Sequence, residues 1–169
     1  MSLDAEITIE LEVGGRYADE KVKNQEININ GYKLRLGDID KVTKRLGHIS
    51  SPYFLNNFIE DLGYNLDEAR KNFLDINDVF KIRDTCYDIL NYIDNLSNNL
   101  HLSAEEIINR LEDKYLGFIK SEYDMFDKNT SLQIFVSELR DMLSILGQGL
   151  DIMHANAGGS FDITYTIFY

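Results

Sequence analysis

A chain of 169 residues, 44% hydrophobic and 27% charged, is long enough to bury about two-thirds of its unfolded surface in one core, and ten Tyr and nine Phe argue against a disordered chain. The net charge of −12 repels nucleic acid phosphates, and no apolar run is long enough for a membrane-spanning helix. A lone cysteine, Cys86, rules out an internal disulfide, and Met-Ser-Leu-Asp lacks the basic and apolar regions of a secretory signal, so a cytoplasmic protein is expected.

Along the chain, Ile7, Ile9, Leu11 and Val13 alternate with Glu6, Thr8, Glu10 and Glu12, which predicts a half-buried strand. The pair Gly14-Gly15 marks a turn. Asn30-Gly31 is suited to a type I′ turn because both positions tolerate positive φ, and the resulting hairpin pairs Ile29 with Tyr32 and Ile27 with Leu34. Asp38 reads as the cap of a short helix carrying Ile39, Val42 and Leu46 and ending at Gly47. Ser51-Pro52 starts a second helix that stops near Gly63, and Leu66 to Phe73 reads as a third short one.

Three long stripes follow, with apolar residues at steps of three and four, the spacing that keeps one face against a neighbouring helix. They are Val79, Ile82, Cys86, Ile89, Ile93, Leu96, Leu100; then Ala104, Ile108, Leu111, Tyr115, Phe118; then Leu132, Val136, Leu139, Leu143, Leu146, Leu150, Met153. Ser103 with Glu106 forms a capping box that starts the second long helix, expected to run to about Phe126. The third begins near Ser131 and continues through Gly147 and Gly149 to the Gly158-Gly159 turn. Phe161, Ile163, Tyr165, Ile167 and Tyr169 alternate with polar residues and predict a final strand, which should share a sheet with the first. The expected fold is one α+β domain, with a small, largely antiparallel sheet from 1–36 and 160–169 packed on a helical segment, 38–157, of about three long helices plus shorter ones.

Residues that carry chemistry are sparse. His48, His101 and His154 lie far apart and make no zinc-ligand pair, Asp151 and His154 read as a helix-surface pair, and Cys86 sits on an apolar stripe as a small hydrophobe. The all-α nucleotide pyrophosphohydrolases place carboxylates at ExxE and ExxD steps on two helices. Glu138 and Asp141 satisfy the second half, but Ile108 and Asn109 stand where Glu105 and Glu106 would need acidic partners. Glu138 therefore reads as part of a solvated face, and Gly147-x-Gly149 as a place of close approach by a helix, a partner or a ligand.

The charge is uneven. Residues 48–157 hold nine basic against nineteen acidic side chains, whereas 14–47 carry an excess of three positive charges. An acidic bundle attracts basic surfaces, so the sequence points to a non-catalytic interaction domain that binds a basic protein, of the inhibitor or immunity type encoded by phage and mobile elements. No catalytic, cofactor or metal residue is assigned, and neither nucleic acid nor membrane is an expected partner. The candidate partner-binding residues are Asp84, Asp88, Asp94, Glu105, Glu106, Glu112, Phe168 and Tyr169. Two alternatives stand beside this reading: a structural protein that forms a homo-oligomer through its aromatic last strand, and a small-molecule or nucleotide-binding protein or enzyme with a site between bundle and sheet, near Gly147 to His154.

Overall fold

The computed structural model describes residues 3–12, 26–29, 31–35, 41–124, 127–155 and 160–169. Gly14-Gly15, Gly158-Gly159, Val13, Asn30, Asp38, Ile39 and Phe126 lie outside the described residues. Strands β1 (Asp4–Glu12), β4 (Lys41–Ser50), β5 (Asn72–Leu74) and β6 (Ser160–Phe168) form an antiparallel sheet in the order β4-β1-β6-β5. Strands β2 (Glu26–Ile29) and β3 (Tyr32–Arg35) form a separate hairpin in the expected register, Ile29 opposite Tyr32 and Ile27 opposite Leu34, with Gly31 at φ +81°. Among the described residues, four α-helices complete the α+β fold: α1 (Tyr53–Asp61), α2 (Ile76–Asp94), α3 (Ala104–Lys114) and α4 (Lys128–Ala155).

The outer strands of the sequence lie side by side at the middle of the sheet, Ala5 opposite Ile167 and Ile9 opposite Ile163. Ala5, Ile7, Ile9, Ile163, Tyr165 and Ile167 are buried in one core with Val79, Ile82, Ile89, Leu139 and Leu146 of the helices. Residues of the other pleat are buried too. Thr8 and Thr164 join hydroxyl to hydroxyl, and Lys71 pairs with Glu10, so β1 is covered more fully than the half-buried strand of the alternation pattern.

The stretch read as a helix ending at Gly47 is instead strand β4. Its register against β1 slips between Ile7 and Thr8, which face Gly47 and Arg45, so Leu46 is the extra residue of a bulge. Leu46 and Ile49 are both buried, three residues apart, and with Val42 four residues before Leu46 they imitate helical spacing. The helix expected over Leu66 to Phe73 is broken by Ala69, at φ +59°, whose N–H bonds the carbonyl of Ile167, and the chain then enters β5.

The long helices start where their caps place them. Asp75 accepts from the Asn77 N–H, and Ser103 accepts from the Glu106 N–H. Helix α2 passes into a π turn at Asn95–Asn99 that ends with His101 in the left-handed region, which turns the exposed Leu100 off the stripe. Helix α3 stops at Lys114, well short of Phe126. Tyr115 is extended, and the next residues run against α1, with Gly117 so near Phe54 that an added Cβ would stand 3.2 Å from its ring. Phe118 thereby joins Phe54, Tyr123 and Phe135 in an aromatic cluster with ring centroids 4.8–5.5 Å apart.

Helix α4 crosses Gly147 and Gly149 unbroken and packs against both α2 and β4. Packed on several sides, it buries a wider arc than a two-helix seam: Phe135, Glu138, Met142 and Ile145 are buried, whereas Leu132, Val136, Leu143 and Leu150 are half-buried. At Gly149 an added Cβ would lie 2.9 Å from Leu46 and 3.1 Å from Ile163, while at Gly147 it would meet nothing within 4 Å. The glycine at 149 therefore serves the contact of helix with sheet. Gly147→Ala should stabilise the protein by about 0.5–1 kcal/mol through helix propensity, and Gly149→Val should destabilise it by about 1–3 kcal/mol through overpacking, as read from urea unfolding midpoints.

Candidate functional site

Burial of Val79, Ile82, Cys86, Ile89 and Ile93 turns the intervening residues of α2 outward, and Asp84, Asp88 and Asp94 are all exposed. On α3 the buried Ile107, Ile108 and Leu111 leave Glu105, Glu106 and Glu112 exposed in the same way. Asp84 is held by Arg83 at 3.1 Å, and Glu106 accepts from the Ser103 hydroxyl at 3.2 Å. Among the described residues no cation lies within ion-pairing distance of Asp88, Asp94, Glu105 or Glu112. Glu105 and Glu106 also sit in the first turn of α3, where negative charge favours the helix dipole.

Beside Asp88 a groove of about 720 Å³ opens, lined also by Phe58, Asn91, Tyr92, Lys114 and Tyr115. The Tyr92 and Tyr115 rings meet edge to face at 6.0 Å, and the Lys114 ammonium stands 3.9 Å from the Tyr92 centroid. Burial first, and then the Asp88 charge, push the Tyr115 hydroxyl above its ordinary pKa. The chain continues into Leu116, 98% exposed, on a loop pinned where the Asn57 side-chain amide donates to the Gly117 carbonyl at 3.1 Å. As a partner-binding residue the sequence pattern marks Asp88 alone among these, and it places Tyr115 on the apolar stripe of the second long helix. Tyr92, Lys114 and Tyr115 come together through the end of α3, which the apolar spacing carries past its true stop.

Glu138 is the largest departure from expectation. It is 1% exposed, with Oε1 accepting from the Leu55 N–H at 2.7 Å and Oε2 from the Tyr123 hydroxyl at 2.6 Å, while that hydroxyl accepts from the Phe54 N–H at 3.0 Å. Helix α1 starts at Pro52 with no side-chain cap of its own, so the Glu138–Tyr123 pair satisfies its first free N–H groups. Burial pushes the Glu138 carboxyl up to about 8, against the pull of its hydrogen bonds. The Cys86 thiol is pushed up to about 12, by burial and then by Glu138, which leaves it without thiolate character at neutral pH.

An open cleft of about 700 Å³ between β4 and α4 is lined by His48, Ser51, Gln133, Ser137, Glu138 and Asp141, among others. Among the described residues no hydrogen bond joins a serine of this cleft to His48 or Asp141. Asp151 and His154 are both exposed on α4 and do not pair. Phe168 and Tyr169, 41% and 60% exposed, end the sheet far along the sequence from the acidic residues of α2 and α3.

The Glu138 carboxyl binds its proton more tightly in the folded chain than at the ordinary value of 4.5, so its contribution to stability is full below about pH 4.5 and is lost as pH rises through about 8. Thermal melts should accordingly show stability falling across that window, and Glu138→Gln should flatten the fall. Glu138→Ala should cost about 2–5 kcal/mol, comparable to Leu139→Ala, because it leaves the Leu55 N–H and Tyr123 hydroxyl without their acceptor. No family model matches the chain, and neither a curated protein nor a solved structure does.

Proposed function

We propose that the protein is a non-catalytic interaction domain that binds a basic protein partner through the acidic faces of α2 and α3, in the manner of immunity proteins and inhibitors. The observation that carries this reading is the set of exposed carboxylates at Asp88, Asp94, Glu105 and Glu112, none of which is ion-paired to a cation among the described residues. Unneutralised surface charge projects a field that steers an oppositely charged protein and speeds encounter. The adjoining groove adds tyrosine surface, which supplies contact area at low entropic cost.

A second reading, homo-oligomer formation, is favoured by Phe168 and Tyr169, which expose aromatic surface at the end of a central strand. Size-exclusion chromatography with light scattering separates the two, since an interaction domain of the first kind is a monomer without its partner.

With the partner recovered by pull-down from the native host, surface plasmon resonance should show an on-rate that falls about tenfold or more between low and physiological salt, where screening limits the field to about 8 Å. Exchanging Asp84, Asp88 and Asp94 together for Lys should slow binding more than the same exchange at Glu105, Glu106 and Glu112, because the first set adjoins the groove. Salt-independent association, with both variants binding like the parent, would return the acidity to solubility alone.

A further inference from the structure

We propose that the groove beside α2 seats a lysine or arginine side chain of the partner protein, its cation over the Tyr92 ring and near Asp88, in the place the Lys114 ammonium holds in the free chain. The proposal rests on the reading of the protein as a binder of basic proteins and gives that reading a location. Three independent features converge here.

The first is the ring geometry. Lys114 already places a cation 3.9 Å from the Tyr92 centroid and 5.7 Å from that of Tyr115, so the two edge-to-face tyrosines form a surface that accepts positive charge. Lys114 is exposed and, among the described residues, not ion-paired, so a partner cation displaces it by moving one flexible side chain.

The second is charge complementarity. Asp88 lines the groove together with Tyr92, Lys114 and Tyr115, which puts a carboxylate on the same surface as the two rings. Asn91, also on the lining, offers an amide oxygen to the N–H groups of a guanidinium or ammonium, while the Asn95 amide oxygen already accepts from the Asn99 side chain at 2.8 Å. A groove of about 720 Å³ is several times the volume needed by one side chain, so it admits the residues that flank the cation as well.

The third is Leu116. An almost completely exposed leucine on a loop fastened by the Asn57–Gly117 bond and by the close approach of Gly117 to Phe54 is held in place before any partner arrives. It matches an apolar pocket on the partner next to the basic residue, the arrangement of a preordered anchor at an interface.

The test is an NMR titration of the full chain at low salt with a short, capped oligoarginine peptide. Shifts should centre on the amides of 85–92 and 114–116. Lys114→Ala should tighten binding by about three- to tenfold, as expected when a competing cation leaves an aromatic site. Lys120→Ala, which removes the same charge beside Asn109, should tighten it by much less. Tyr92→Leu should abolish the Lys114→Ala gain, and Tyr92→Phe, which keeps the ring, should preserve it. Equal gains from Lys114→Ala and Lys120→Ala, with no effect of Tyr92→Leu, would overturn the groove while leaving a diffuse acidic surface as the binding mode. No salt-sensitive binding by any variant would overturn the groove and the acidic-face reading together.

Discussion

One carboxyl group joins three parts of this protein that are remote in sequence. Glu138 of α4 reaches the backbone at the start of α1 and the hydroxyl at the end of the turn after α3, and the chain between these elements depends on it for the hydrogen bonds that water would otherwise supply. Burying such a group costs free energy unless both oxygens are engaged, and here both are. The aromatic cluster of Phe54, Phe118, Tyr123 and Phe135 forms around the same junction, so polar and apolar contributions fix the same arrangement of helices. The groove and the Leu116 loop inherit their positions from it, since Phe58 belongs to α1 and Gly117 is fastened to α1.

The sheet supplies the second constraint. Its central strands offer apolar side chains to the helices, while threonines and the Lys71–Glu10 pair occupy the opposite pleat. Close contact with α4 at Gly47 and Gly149 lets a long helix lie low on the sheet, with Ile145 filling the space above one glycine and Leu46 with Ile163 the space above the other. Small residues thus set the distance between layers.

Features specified by neighbouring residues were legible in the sequence. The Gly31 hairpin, the Ser103 capping box, the Pro52 start of α1 and the pairing of the first and last strands each carry a local signal, and each appears in the structure, although the burial of those strands does not alternate. What was illegible depends on distant groups. A bulge at Leu46 converts period two into helix-like spacing, and only the partner strand reveals it. Glu138 looks like a surface residue because its partners stand 83 and 15 positions away. The early end of α3 follows from packing against α1, which no spacing within α3 reports. For the candidate site, exposure of the six acidic residues followed from helical phase, whereas the tyrosine groove beside Asp88 needed the folded chain.

Placing the first and last strands next to each other has a consequence for how the protein comes to be folded. Strand β1 can pair early with β4, but its other edge waits for β6, which must then enter between β1 and β5. Contacts of such long sequence separation form slowly. During synthesis the apolar face of β1 and one of its hydrogen-bonding edges stay uncovered while helices α1 to α4 are made, and that interval is when the nascent chain is most open to strand-mediated aggregation or to capture by a chaperone.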